Sequence, residues 1–394
     1  MTGDDAAEDW ERFCAELARA GEVLRRPATP RDELTQAEGL RFLSRMIRAG
    51  LETRLEMADL AHPVLTPMID RWLLYEGVTS DARYHHALLD GAAAHRVSGT
   101  RGTAPLFEIG VYTGKQAIHE TSHLLASLTE VDLQVEPDGT FEVALGPERR
   151  PGNWLRTDAR ARYMMIREYA HEWRSTRAGS FEIRRESAVA REPLGAETAR
   201  TGLAGAAEFV ARASSFWASL SNYWAALAPN RFLYTPRGGG VQLRKLDDEG
   251  REIEQPEYGG LPQTTADART EVAPPAGHQF SCGWFRLEEG EALSVRLSPK
   301  PAPYWGLELT NYWYEPLCYG TRRSIVNDRS AVREPDGSVR AVIAARDPGL
   351  PNWLDTDGHR EGMMIFRLSR SDDPPPPIEA ERVRLEELRR RGRA

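Results

Sequence analysis

The chain has 394 residues, 41% of them hydrophobic, a mean hydropathy of −0.52 and a formal net charge of −8. That length exceeds one ordinary core and points to two domains, or to one duplicated unit with added helices. The acidic balance, with no long basic block before the last few residues, argues against nucleic acid, and no apolar run is long enough to span a membrane. Cys14, Cys282 and Cys318 are odd in number and far apart, which argues against a disulfide framework or a zinc ribbon. The opening "MTGDDAAEDWERF" lacks the basic and apolar regions of a signal peptide, so a cytoplasmic, reducing setting is expected. Lysine occurs only at Lys115, Lys245 and Lys300; the arginine bias reads as codon usage or as a demand for bidentate anion contacts.

Residues 1–80 read as a helical region. Thr35 and Glu38 have capping-box spacing, and Leu40, Leu43, Ile47 and Leu51 follow as an apolar stripe. Residues 81–190 turn to short alternating segments: "HRVSGTRG", "APLFEIGVYTG", "VDLQVEPDGTFEVAL", "YMMIREY" and "SFEIRRE". Asp138-Gly139 marks a hairpin between two of these runs. Residues 191–270 hold a connecting helix and a loop. The helical seam runs Leu203, Ala206, Val210, Ala213, Trp217, Leu220, Trp224, Leu227 and must be buried. Strand texture returns over 271–372. In 373–394, "PPPP" reads as a stiff spacer before a charged terminal helix, a solvated arm or a partner contact; a homo-oligomer stays open. The class is α+β and mainly β.

Asn153–Ile166 aligns with Asn352–Ile365 without a gap, and eight of the fourteen positions match. "EPDG" at 136–139 recurs at 334–337, "FEI" at 107–109 faces "LEL" at 307–309, and Tyr112 faces Tyr312. Order and spacing are kept, so the β unit is duplicated. Asn-Trp-Leu reads as a shared corner with Trp154 and Trp353 buried. Titratable groups differ between the copies: Arg156 becomes Asp355, Arg160 becomes His359, Ala161 becomes Arg360, Arg162 becomes Glu361, and Lys115 becomes Glu315. Function is therefore expected in the second copy.

The second copy also resembles a known family. Tyr304, Trp305, Asn311, Glu315, Tyr319, Asn327, Asp336-Gly337, Asp347-Pro348-Gly349 and Asn352-Trp353-Leu354-Asp355-Thr356, with Gly358, His359 and Gly362, match the pattern of the bacterial domain-of-unknown-function family 1214. The likeness covers about 90 residues, with the first copy looking like the companion region of long members. It implies two jelly-roll-like antiparallel β-sandwich units and no stated activity.

As a site, Asp355 can orient His359 and raise its pKa, while Glu315, on an aromatic strand "NYWYE", can be desolvated into a general acid. Asn311, Trp305, Trp313, Tyr319, Arg322, Asn327 and Arg360 are candidate substrate contacts, the aromatics as a pocket wall. The structural alternative is that Asp355 caps its turn, His359 bonds a carbonyl and Glu315 pairs with an arginine. The leading reading is an enzyme doing acid–base chemistry, without a cofactor, on a small, largely apolar molecule with a polar or anionic group. The alternatives are a non-catalytic binding protein and a zinc hydrolase built on "HETSH", His119–His123. The last is disfavoured, because that segment sits between β runs with no long helix; no resident metal is expected.

Overall fold

In this computed structural model, residues 3–69, 79–114, 124–187, 189–190, 193–235, 278–317, 321, 323–371 and 373–391 are described. HETSH, Lys115, Cys318, Tyr319, Arg322 and residues 236–277, which hold most of the expected loop, lie outside them. Helices α1 (Gly3–Ala20) and α2 (Glu33–Leu51) come first. Strands β1 (Thr66–Ile69), β2 (Ala82–Leu88), β3 (His95–Thr100), β4 (Leu106–Thr113), β5 (Leu124–Thr129), β6 (Thr140–Gly146), β7 (Trp154–Arg156), β8 (Ala161–Tyr169) and β9 (Ser180–Arg185) build the first unit. Helix α3 (Ala196–Leu227) leads to β10 (Phe232–Thr235), β11 (Gln279–Arg286), β12 (Glu291–Leu297), β13 (Tyr304–Thr310), β14 (Ile325–Asn327), β15 (Val339–Ala344), β16 (Trp353–Asp355), β17 (Glu361–Ser369) and β18 (Ile378–Arg384), and α4 (Leu385–Arg391) follows.

The duplication is visible strand for strand. The first unit stacks sheets β1-β2-β8-β4-β5 and β7-β6-β3-β9; the second stacks β10-β11-β17-β13-β14 and β16-β15-β12-β18. All pairings between these strands are antiparallel except β6–β7 and β15–β16. The turns before β6 and β15 are also copies. The Thr140 amide and hydroxyl donate to Asp138 Oδ1 at 2.9 and 2.6 Å, as do those of Ser338 to Asp336 at the same distances. Gly139 and Gly337, at φ +88° and +83°, occupy the left-handed position that glycine fills without strain. Only the half of "VDLQVEPDGTFEVAL" after the turn is a strand, because β6 takes its partners from β3 and β7.

Each sandwich has its own core. Phe107, Val143, Leu155, Met164 and Ile166 fill the first; Trp305, Leu307, Leu354, Met364 and Phe366 fill the second. A third cluster lies between the two five-stranded sheets. It takes Tyr84, Met165 and Tyr169 from one, Trp284, Tyr304, Met363 and Ile365 from the other, and Phe42, Met46, Phe209 and Trp217 from α2 and α3. The α3 seam is buried as expected through Ala206, Val210, Ala213, Trp217 and Trp224. On α2 the buried stripe is instead Phe42, Met46 and Ala49, with Leu40 65% exposed. Gly39 sits on that face because Trp313 and Leu24 press against it; a Cβ there would lie 2.5 Å from Trp313 Cζ2 and 2.4 Å from Leu24 Cδ2.

Three further expectations change. Trp154 and Trp353 are equivalent but only half-buried, and Leu155 and Leu354 are the core plugs. The expected terminal helix begins only at Leu385: β18 pairs with β12 along its whole length, closing the second unit as β9 closes the first. Leu385 and Leu388 then pack on Ala292, Val342 and Ala344. Finally, the Met-Met-Ile triplets do not match in space. Met164 and Ile166 face the first core, whereas Met364 faces the second and Ile365 faces the layer between the units. The loop after Asn-Trp-Leu takes up one extra residue in the second copy, and a one-residue shift in a strand exchanges its faces.

Candidate functional site

The segment "NYWYE" is a tight turn, not a strand. Asn311 Oδ1 accepts the amides of Trp313 and Glu315 at 2.9 and 3.0 Å, and the Asn311 amide closes on the Glu315 carbonyl at 2.8 Å. Tyr314 takes φ +66° to complete the reversal. An asparagine side chain that mimics a backbone turn explains why the aromatic run does not continue β13. The turn aims Trp313 at α2, where its indole N–H donates to the Thr35 carbonyl at 2.8 Å and its ring stacks on Phe42 at 5.3 Å.

Helix α2 supplies what the sequence reading missed. Asp32 caps it by accepting the Thr35 amide at 2.9 Å, so Glu38 is not needed for a capping box. Glu38 instead crosses to the second unit: its Oε2 meets His359 Nε2 at 2.8 Å and accepts from Asn311 Nδ2 at 2.9 Å, and Arg41 holds its Oε1 at 3.1 Å. Two turns beyond Glu38 on the same face, Arg45 donates to Glu315 Oε1 at 2.7 Å. The only sequence signal for these residues was a charged row, Glu38, Arg41 and Arg45, beside Phe42 and Met46.

His359 and Glu315 are therefore brought into one buried network, 6% and 1% exposed, joined through Asn311 and Glu38. His359 Nδ1 faces the Thr356 carbonyl at 2.8 Å, so both ring nitrogens are engaged. Burial disfavours the imidazolium, but the Glu38 hydrogen bond and charge, the Thr356 carbonyl and Asp357 outweigh it and raise the pKa. Burial pushes Glu315 up to about 7 against the pull of Arg45 and Arg41, and Glu38 adds to the rise.

Asp355 does not orient His359. It accepts the Asp357 amide at 2.9 Å and pairs with Arg323 at 3.2 Å. Trp305 lies inside the second core, stacked on Phe366. Asn327 joins a different cluster, donating to Asp81 Oδ2 at 2.7 Å and to the His171 carbonyl across the seam between the units. Arg360 is exposed, 4.0 Å from Glu288. In the first copy, Arg160 makes a surface pair with Asp158 at 2.8 Å. Trp305 and Trp313, expected in a pocket wall, are core residues. His359 and Arg360 do border one groove of about 560 Å³, between the 287–291 turn, the 356–360 turn and α4. Among the described residues, no three His, Cys, Asp or Glu side chains are placed to hold a metal ion, and no helix is long and apolar enough to cross a membrane.

The family model described as "Protein of unknown function (DUF1214)" matches residues 75–172 and again 287–373, one stretch in each sandwich. The chain is a DUF1214 protein. The first unit thus carries a DUF1214 region of its own, as in a long member with a duplicated domain. An uncharacterised protein from Burkholderia cenocepacia has a similar crystal structure, 29% identical, with TM-score 0.82, 97% of this chain covered and 98% of that one. The VPA0106 protein from Vibrio parahaemolyticus is 12% identical, with TM-score 0.45, over 93% and 100% of the two chains. No functionally curated protein matches.

Proposed function

We propose that this DUF1214 protein binds a small hydrophilic molecule carrying charges of both signs in the groove over His359. The groove's lining carries the reading. Arg346, Arg360 and Arg389 line the groove together with Glu288, Glu289 and Glu387, around about 560 Å³, a volume suited to a small ligand. A simple anion would meet as many carboxylates as guanidinium groups, and an apolar molecule would find no aromatic wall. His359 supports the floor and offers neither ring nitrogen, while its bonds to Glu38 and Thr356 hold the turn that carries Arg360. In this reading the partner is a small molecule, nucleic acid and membrane have no part, no cofactor enters, and the setting is cytoplasmic.

Calorimetric titration of the full chain with free amino acids tests it. Arg360→Ala and Glu288→Ala are each expected to weaken binding roughly five-fold, the effect of losing one polar contact. Binding unchanged in both variants ends the reading. Acid–base catalysis is a second reading, favoured by one observation: a buried carboxyl, Glu315, titrating near neutrality beside His359's network. It requires turnover that Glu315→Gln abolishes while ligand affinity is kept.

A further inference from the structure

The two units differ at one interior position that the sequence repeat hides. Leu368 on β17 pairs across the sheet with Trp305 and Gln279 and belongs to the second core. At the same ladder position in the first unit, Glu168 on β8 pairs with Phe107 and Arg83. A fully buried carboxyl replaces an apolar side chain at the end of the first sandwich.

Its surroundings are polar and incompletely bonded. Glu168 Oε1 accepts the Gly179 amide at 2.8 Å, but Oε2 has no partner. Arg101 lies over the Phe107 ring at 4.5 Å and donates through Nη2 to the Ala104 carbonyl, leaving Nη1 buried and unpaired. Arg83 lies over the Trp173 ring at 4.2 Å, and the buried indole N–H of Trp173 is unpaired, as is His85 Nδ1. His85 meets Phe181 edge-on at 5.1 Å, and Phe181 lies 5.7 Å from Phe107, so the set surrounds one spot. A folded protein seldom leaves several buried polar atoms unbonded at one place, because each costs the free energy of a lost hydrogen bond. Among these atoms donors outnumber acceptors, and two guanidinium groups face one carboxyl. An oxyanion flanked by a carboxylic acid satisfies them.

We propose that this end of the first sandwich binds the carboxylate head of a small organic acid, with Arg101 and Trp173 donating to it, Arg83 supplying charge, and protonated Glu168 donating through Oε2. The site lies in the other unit from the groove and does not depend on it. Glu168 is suited to the role, because burial raises its pKa against the Gly179 amide and the charges of Arg101 and Arg83. His85 stays neutral, held down to about 4 by burial and by Arg83. The charge of Glu130, like that of Glu168, favours the charged form of Arg101. Since the acid form of Glu168 does the binding, affinity falls as pH rises through its raised pKa.

Propionate and benzoate are the probes, titrated into the full chain by calorimetry at a series of pH values from about 5 to about 8. Saturable binding, tighter at lower pH, is expected. Trp173→Phe keeps the ring under Arg83 and removes only the donor, so it should weaken binding roughly five-fold with an unchanged melting temperature. Glu168→Gln should fold and bind with no pH dependence, and Arg360→Ala should bind as the parent does. The proposal is overturned if neither acid binds saturably, if Trp173→Phe leaves affinity unchanged, or if a crystal structure soaked with propionate shows water alone bridging Glu168 and Arg101.

Discussion

Asn153 and Asn352 make the same three bonds. Each side chain accepts one amide, from Gln134 or Val332, and donates to two carbonyls, those of Gln134 and Glu142 or of Val332 and Arg340, all between 2.7 and 2.9 Å. Yet the strands that follow, β8 and β17, show opposite members of Met-Met-Ile to their sandwich cores. Turn chemistry is local and survives duplication letter by letter. Strand facing depends on the count of residues between turn and strand, so one added residue reverses it. Comparing letters at matched positions therefore identified the architecture well. It was a poor guide to which differences matter: His359 acquired a partner from a helix outside the repeat, and the gapless alignment sets Glu168 against Arg367, whereas Leu368 holds its place in the ladder.

The contrast between the docked second unit and its counterpart can be broken most sharply at Gly39. Gly39→Val puts side-chain atoms where Trp313 and Leu24 already sit and is expected to cost on the order of 3 kcal/mol. A urea unfolding midpoint equal to the parent's would mean that α2 does not rest on the Asn311–Glu315 turn.

The pH dependence is nearly as large. Glu315 has its pKa raised from 4.5 to about 7, so its protonated form is favoured by folding; that stability is complete below about pH 4.5 and is lost as pH rises through about 7, a change of about 3 kcal/mol. His359, also raised, adds a loss in the same direction above its unfolded value of 6.5. The difference in unfolding free energy between the parent and Glu315→Gln should fall between about pH 5 and 8, because the opposing shifts of His85 and Glu168 are common to both proteins and cancel. A difference that rises with pH would contradict the Glu315 assignment.

Smaller and equal effects are expected at the shared corner. Asn153→Ala and Asn352→Ala should each cost about 2 kcal/mol, since each strands backbone groups that the side chain now satisfies. A gap between them of more than about 1 kcal/mol would show that the corners are not energetically equivalent. The smallest effect belongs to Arg160, whose partner Asp158 is a surface residue: Arg160→Ala should stay within about 0.5 kcal/mol of the parent by thermal melting.

The strand texture, the long α3 seam and the duplication were legible because they rest on period and spacing. The Asn311 turn was not, because aromatic residues alternate in "NYWYE" as they would in a strand, and only the side-chain bonds of Asn311 reverse the chain. Glu38 was misread for a related reason. Thr-x-x-Glu is a capping pattern, but Asp32 three residues before Thr35 had already taken that place. The alternative in which Asp355 caps its turn, His359 bonds a carbonyl and Glu315 pairs with an arginine describes the geometry of all three residues, and its arginine, Arg45, lies 270 residues away in sequence.

The bond between Glu38 and His359 spans 321 residues, and β18, which completes the second sandwich, ends at Arg384. During synthesis, α3 becomes available to Phe42 and Met46 part-way, but Glu38 and Arg45 must wait for His359 and Glu315 to emerge before they have their partners. The first sandwich, whose nine described strands end at Arg185, faces no such delay. Contacts this distant along the chain make folding slow and leave the early segment uncovered meanwhile. Protease digestion of ribosome-bound chains of increasing length should find the first sandwich protected early and α2 cleavable until β18 has left the exit tunnel.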